Sequence, residues 1–173
     1  LCTGASVREL IPARGLKKVI TIRTAADIAR LAPHVRKGRR ALVIGGGYIG
    51  LEAAAVLAQQ EVSVTVLEMS ERILQRVTSP AMSSYMQQLH ESHGVEIHTG
   101  VEIDSIREEG EEKHIVCADG TEFRADFLIV GIGVLANTSL ALQAGLQVEA
   151  GIKVNEYCRS SDEHVYAAGD CTV

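Results

Sequence analysis

The 173 residues contain no C-x-x-C pair: Cys2, Cys117, Cys158 and Cys171 lie far apart. That spacing writes neither a zinc knuckle nor a thioredoxin-like redox couple, and it reads as four reduced thiols. Positive charge is also scarce, with 17 lysines and arginines against 22 aspartates and glutamates, a net charge of −5 and a pI near 5.7. A nucleic-acid surface needs clustered cations to displace counterions from phosphate, so that class is set aside. No apolar run approaches the roughly 18 residues that a membrane-spanning helix requires. The opening LCTGASVREL lacks both the charged and the apolar regions of a signal peptide. There is no internal repeat and no low-complexity segment. Together these absences predict a soluble, cytoplasmic chain without nucleic-acid or membrane partners. What is present is enough apolar material, 46 % of residues, to fill the core of one domain, or of one domain with pieces of another.

Secondary structure follows from periodicity. In TAADIARLAPHV, Ile28, Leu31 and Val35 recur at helical spacing behind a threonine and an aspartate suited to capping. After the linker RKGRR, Ala41 to Ile44 form a short apolar strand of the kind buried on both faces of a parallel sheet. In the segment that follows the glycines, Ile49, Ala53, Val56 and Leu57 predict an apolar helix face, with small alanines permitting close approach to the sheet. EVSVTVLE alternates β-branched residues as a second strand and completes a right-handed βαβ unit. A further helix is expected from about Pro80 to His93, stopped by Gly94, and then strand VEIHT. VEIDSIREE, KHIVCA and EFR read as an antiparallel meander, with the acidic run Glu108 to Glu112 as a solvated hairpin tip. DFLIVGIG returns to the core. The expected fold class is α/β: a Rossmann-type parallel sheet with a helix layer and an antiparallel β-meander.

The chemistry concentrates in GGGYIG, where Gly45, Gly47 and Gly50 spell G-x-G-x-x-G between a strand and a helix. Each glycine has its own reason: a tight turn at Gly45, backbone access for a pyrophosphate at Gly47, and close packing of helix on strand at Gly50. Gly46, Tyr48 and Ile49 complete the turn, and phosphates would sit on free N–H groups at the positive end of the helix that starts near Tyr48. Glu68 ends the second strand eighteen residues after Gly50, where a carboxylate can accept from ribose hydroxyls. Glycines at such a turn can serve packing alone. Strand, helix, second strand and acid together point to a bound dinucleotide. Glu52 is read in the first turn of the helix, where the macrodipole favours a carboxylate whatever its function. His90 and His93 in HESH do not form H-E-x-x-H and read as ordinary surface histidines, so no metal site is expected. Arg36, Lys37, Arg39 and Arg40 read as a solvated linker, with steering of an acidic partner as the alternative.

The segments GGGYIGLE, SERILQRVTSP, LHESHGVEIHTG, VGIGVLAN and VYAAGDC occur here in the order and spacing of a known family. The chain resembles the flavin-dependent NADH reductases of ferredoxins and rubredoxins, the putidaredoxin reductase-like branch of the pyridine nucleotide-disulfide oxidoreductases. The resemblance implies an NAD-binding Rossmann domain, residues 11–136, inserted into an FAD domain. Residues 1–10 would be a strand of that FAD domain and residues 137–173 its incomplete return. The family's N-terminal glycine motif for FAD and its C-terminal dimerisation region are not among these residues. The resemblance also places Glu52 by the nicotinamide carboxamide, Arg72 in a wall of the adenosine pocket in company with NADH use, and Gly131, Ile132 and Gly133 in a second glycine turn lining the NAD cleft. In VYAAGD it gives Asp170 to the flavin ribitol and Gly169 to close backbone approach. The implied activity is transfer of hydride from NADH to FAD and of electrons onward to a ferredoxin or rubredoxin, with no side chain acting as acid or base. A related flavoenzyme reducing oxygen, peroxide or a disulfide, and a non-enzymatic NAD-sensing module, are the alternatives.

Overall fold

A computed structural model describes all of residues 1–173. Its contacts divide the chain into two units, residues 9–132 and residues 1–8 together with 133–173. The boundaries expected from sequence lie a few residues further along, after 10 and after 136. The difference arises because Val134–Ala136 is itself a strand, β10, paired antiparallel with β1, Ala5–Val7.

The larger unit is built on a five-stranded sheet. Its strands are β2 (Val19–Thr21), β3 (Arg40–Ile44), β4 (Ser63–Leu67), β5 (Val95–His98) and β9 (Phe127–Val130), in the order β2-β9-β3-β4-β5. Every pairing is parallel. Three α-helices, α1 (Ala25–Leu31), α2 (Tyr48–Gln59) and α3 (Pro80–Ser92), alternate with the first strands. The strand period of two then sorts side chains to opposite faces. Ala41, Val43, Val64, Val66, Phe127 and Ile129 form one core with Ala53, Ala54 and Leu57 of α2. Leu42, Ile44, Leu67, Leu128 and Val130 form the other. That second core is closed by Ile106, Ile115 and Ala125 from the three-stranded antiparallel meander β6 (Ile103–Glu109), β7 (Glu112–Cys117) and β8 (Glu122–Ala125). Helix, parallel sheet and meander are thus three layers, and the α/β class read from sequence is the one observed.

Two helical faces differ from expectation. On α2 the buried residues are Gly50, Leu51, Ala53, Ala54 and Leu57, whereas Ile49 and Val56 are exposed. Small Gly50, Ala53 and Ala54 let the helix axis come close to the sheet, Leu51 and Leu57 complete the buried face, and the β-branched Ile49 and Val56 turn outward. On α1 the buried residues are Asp27 and Leu31, and Ile28 is 49 % exposed. Asp27 earns its burial as half of a capping box with Thr24. Its carboxylate accepts from the N–H groups of Arg23 and Thr24 at 3.0 and 2.7 Å and pairs with Arg30 at 2.5 Å. The Arg30 guanidinium and the Thr24 donors hold its carboxyl well below the usual range.

The acidic hairpin is also more than a solvated tip. Glu108 takes the ammonium of fully buried Lys113 at 2.6 Å, Glu109 and Glu122 flank His114 at 3.0 and 2.9 Å, Glu111 pairs with Lys18, and Glu112 pairs with Arg40 at 2.6 Å. Glu108, Glu109 and Glu111 are exposed as the charge run implies, and their cations come both from the hairpin itself, Lys113 and His114, and from outside it, Lys18. Similarly, His90 is buried, not superficial: its ring nitrogens lie 2.8 Å from the Met86 carbonyl and 3.3 Å from that of Leu51 in α2. His93 remains exposed. In the smaller unit, α4 (Ser139–Gln143) supplies Ala141 to a compact cluster with Leu146, Ile152, Ala167 and Cys171. No helix is long and apolar enough to cross a membrane.

The observed α2 face is tested by two substitutions. Ala54→Leu, at a fully buried position, should destabilise the chain by about 1–3 kcal/mol through overpacking. Val56→Ala, 58 % exposed, should change stability by no more than about 0.5 kcal/mol in the same urea titration.

Candidate functional site

Chain direction fixes where a ligand can enter an open parallel sheet. From β3 the chain crosses through α2 to β4 on one side, while β9 lies on the other. The strand order therefore reverses beside β3, and the crevice outside the carboxyl ends of β3 and β9 is where such sheets take ligands. Gly45 to Gly50 occupy that crevice.

The turn is tight enough to exclude side chains at three of its four glycines. Gly45 has φ +109°, and a Cβ there would lie 2.5 Å from the Gly131 carbonyl oxygen at the end of β9. A Cβ on Gly50 would lie 2.0 Å from the Gly45 oxygen, and one on Gly46 would lie 2.8 Å from Cγ2 of Ile73. At Gly47 a Cβ would meet nothing within 4 Å. Packing thus accounts for Gly45, Gly46 and Gly50, and leaves Gly47 as the glycine whose bare backbone faces open space.

Gly47 is also the N-cap of α2, and it has no side chain with which to cap. The first helical hydrogen bond is from the Leu51 N–H to the Gly47 carbonyl at 3.0 Å, so the N–H groups ahead of it have no helical acceptor. Tyr48 and Ile49, on the first turn, are exposed at 57 and 41 %. Glu52 is exposed as well, but it sits in the second turn, not the first: with the helix starting at Tyr48, 3.6 residues per turn carry it past the end of the macrodipole's strongest field.

Glu68 follows β4 and reaches across to the turn. One carboxylate oxygen accepts from the Gly46 N–H at 2.6 Å and the other from the Ser70 N–H at 2.7 Å. A carboxylate offers about four lone-pair sites, so each oxygen keeps capacity for a further donor. The Gly46 carbonyl in turn accepts from the Leu74 N–H at 2.9 Å. Arg72 does not present an open guanidinium: Nη1 donates to the Thr78 carbonyl at 3.0 Å and to Ser83 Oγ at 2.6 Å, and Nη2 to the Gln75 carbonyl at 2.9 Å. Ser70, Ile73, Leu74 and Ser83 were not singled out in the sequence. Ser70 and Leu74 act through backbone N–H groups, Ile73 through burial beside Gly46 and Ser83 through a hydroxyl whose partners are set only by the fold, so none leaves a signature in residue type.

Of the remaining candidates, Gly131 continues β9 with its N–H on the Ile44 carbonyl at 2.8 Å, and Ile132 packs against the meander-side core. Gly133, with φ +96°, begins the return segment of the smaller unit. Gly169 (φ +87°) and Asp170 are exposed in that unit, and the Gly169 carbonyl accepts from the Thr172 N–H and Oγ1 at 3.0 and 2.8 Å. In the linker, Lys37 pairs with Glu61, Arg39 with Asp126, and Arg40 with Glu112 and Asp126. Those cations are engaged within the fold, which weakens the steering alternative. The four cysteines are free thiols, Cys117 and Cys171 buried and Cys2 and Cys158 exposed.

Comparison with known proteins gives the geometry a context. The sequence profile of the pyridine nucleotide-disulphide oxidoreductase family matches residues 1–173. Putidaredoxin reductase of Pseudomonas putida is 38 % identical over 178 residues, covering 99 % of this chain and 42 % of that protein. The ferredoxin–NAD(+) reductase component of the anthranilate 1,2-dioxygenase system of Burkholderia cepacia is 40 % identical over 152 residues, covering 88 % of this chain and 37 % of the relative. Among solved structures, the reductase of the covalent putidaredoxin reductase–putidaredoxin complex superposes with a TM-score of 0.92 at 37 % identity, covering 99 % of this chain and 43 % of its own. The chain therefore spans about two fifths of the length of the relatives it matches.

The division of labour among the glycines predicts unequal costs for two small changes. Gly50→Ala forces a methyl group onto a backbone oxygen and should cost at least about 3 kcal/mol in denaturant unfolding. Gly47→Ala should cost under about 1 kcal/mol, the ordinary penalty of alanine at an N-cap.

Proposed function

The chain belongs to the pyridine nucleotide-disulphide oxidoreductase family, and on that premise we propose that it is the NAD(H)-binding part of a flavoprotein oxidoreductase. The proposed protein transfers hydride from NADH to FAD and passes electrons on to a small ferredoxin or rubredoxin. Residues 9–132 are the nucleotide unit in this reading, and residues 1–8 with 133–173 belong to an FAD domain. The observation that carries the proposal is the turn itself: a backbone left open at Gly47, at the strand-order reversal, with Glu68 anchored across from it.

The residues present fit a dinucleotide. The N–H groups at the start of α2 and the positive end of its dipole suit a pyrophosphate. Glu68, held by two backbone donors, keeps acceptor capacity for the adenosine ribose hydroxyls. Glu52, Tyr48, Ile49, Gly131 and Ile132 are proposed to line the path toward the nicotinamide. Gly169 and Asp170 are the residues proposed to meet FAD. When bound, the nicotinamide and the flavin supply the hydride donor and acceptor, and the chain's own contribution is alignment and a defined electrostatic setting. Four unpaired thiols suit the reducing cytoplasm in which the proposal places the protein.

The proposal predicts preference for NADH over NADPH. An ionised Glu68 accepts from a 2′-hydroxyl but faces a 2′-phosphate as like charge. That mismatch is worth on the order of 2–3 kcal/mol, or roughly 30- to 150-fold in affinity. Calorimetric titration of both nucleotides reads it directly, and equal affinities would contradict it. Glu68→Gln should narrow the ratio while weakening both ligands, because an amide N–H then opposes a backbone N–H. Gly47→Val should keep the fold and lose nucleotide binding; unchanged affinity in the folded variant would make the turn a packing device only.

A further inference from the structure

We infer that Arg72 is a positioning residue: it acts on the nucleotide through the backbone of the glycine turn and not by touching the ligand. The inference rests on the NAD-binding reading above. Between β4 and α3 the chain runs from residue 68 to 79 without a regular element, yet Ile73 and Leu74 within it are buried against Leu51 of α2. Leu74 holds a left-handed φ of +53°, a conformation that a leucine adopts only when its surroundings impose it.

The surroundings that impose it converge on Arg72. Its two Nη atoms bind the Gln75 and Thr78 carbonyls and Ser83 Oγ, so a single planar fork joins two carbonyls of the segment to the first turn of α3. Ser83, 2 % exposed, passes the restraint on by donating to the Ile73 carbonyl at 2.7 Å. The residue held on either side of that carbonyl is what meets the turn. The Ile73 side chain occupies the space beside Gly46, and the Leu74 N–H holds the Gly46 carbonyl. Gly46 is thereby gripped from both ends, its N–H by Glu68 and its carbonyl by Leu74, one residue before the open backbone of Gly47. Lysine cannot replace the fork, since one ammonium does not span three acceptors in a fixed plane.

A residue acting through the turn affects every ligand of the turn alike, whereas a guanidinium lying beside the adenosine would affect NADPH and NADH differently. Arg72→Lys and Ser83→Ala are therefore compared with the unmutated chain by calorimetry with NADH and with NADPH, and by amide hydrogen exchange at Leu74. The expected result is an equal loss of affinity for both nucleotides, about tenfold, in each variant. Leu74 exchange should be faster in both, and the double variant should be little worse than either single one because both cut the same connection. The inference is overturned if Leu74 exchange is unchanged in Arg72→Lys, or if Arg72→Lys alters the NADH to NADPH ratio while Ser83→Ala binds as the unmutated chain does. If the unmutated chain binds neither nucleotide, the NAD-binding reading fails, and the exchange rates alone still decide whether Arg72 sets the turn.

Discussion

Three stretches of backbone meet where β3 ends: the Gly45 turn, the start of α2 at Gly50, and the end of β9 at Gly131. They approach so closely that a single added carbon would sit 2.5 Å from one carbonyl oxygen at Gly45 and 2.0 Å from another at Gly50. The rest of the larger unit depends on that approach. It seats α2 low over the sheet, with Ala53, Ala54 and Leu57 in the helix core and the β-branched Ile49 and Val56 pointing away. It also leaves the first N–H groups of α2 aimed past the ends of the strands with nothing in the helix to accept them.

The geometry around this junction divides into a packed part and an open part. Gly45, Gly46 and Gly50 are filled against protein atoms, and the polar groups of Gly46 are satisfied by Glu68 and Leu74. The backbone at Gly47 is what remains. Rigid surroundings matter for a phosphate-binding turn, since donors held in place lose little freedom when the ligand arrives. Glu68 contributes twice in this account, because the same carboxylate that braces the turn also carries the charge by which the proposed site distinguishes a ribose hydroxyl from a phosphate.

Much of this was legible in the residues because the signals were local. The strand before the glycines, the helix after them, the Pro80 helix with Gly94 behind it and the three strands of the meander all follow from short-range periodicity and turn chemistry, and all are present. Helical spacing of apolar residues identifies Ala53, Leu57 and Leu31 on the buried faces but also includes Ile49, Val56 and Ile28, which are exposed, and it passes over Asp27, which α1 buries as a cap. The hairpin acids Glu108, Glu109 and Glu111 are solvent-facing as their charge run implies, but the pairing of Glu111 with Lys18 and the burial of His90 against the Leu51 carbonyl depend on partners remote in sequence. Resemblance implies a place for Arg72 in a wall of the adenosine pocket; its partners within the fold, the Gln75 and Thr78 carbonyls and Ser83 Oγ, are ones that no residue-type pattern announces.

The central claim is that the open backbone at Gly47 receives a dinucleotide pyrophosphate. The most direct measurement is a nuclear magnetic resonance titration of the isotopically labelled chain with NADH, following every backbone amide. The account predicts saturable shifts concentrated at Gly47, Tyr48 and Ile49, with a second group at Glu68, Met69 and Ser70 where the adenosine ribose would lie. Saturable binding that moves other amides and leaves Gly47 to Ile49 unperturbed would contradict it, as would the absence of any shift at millimolar NADH.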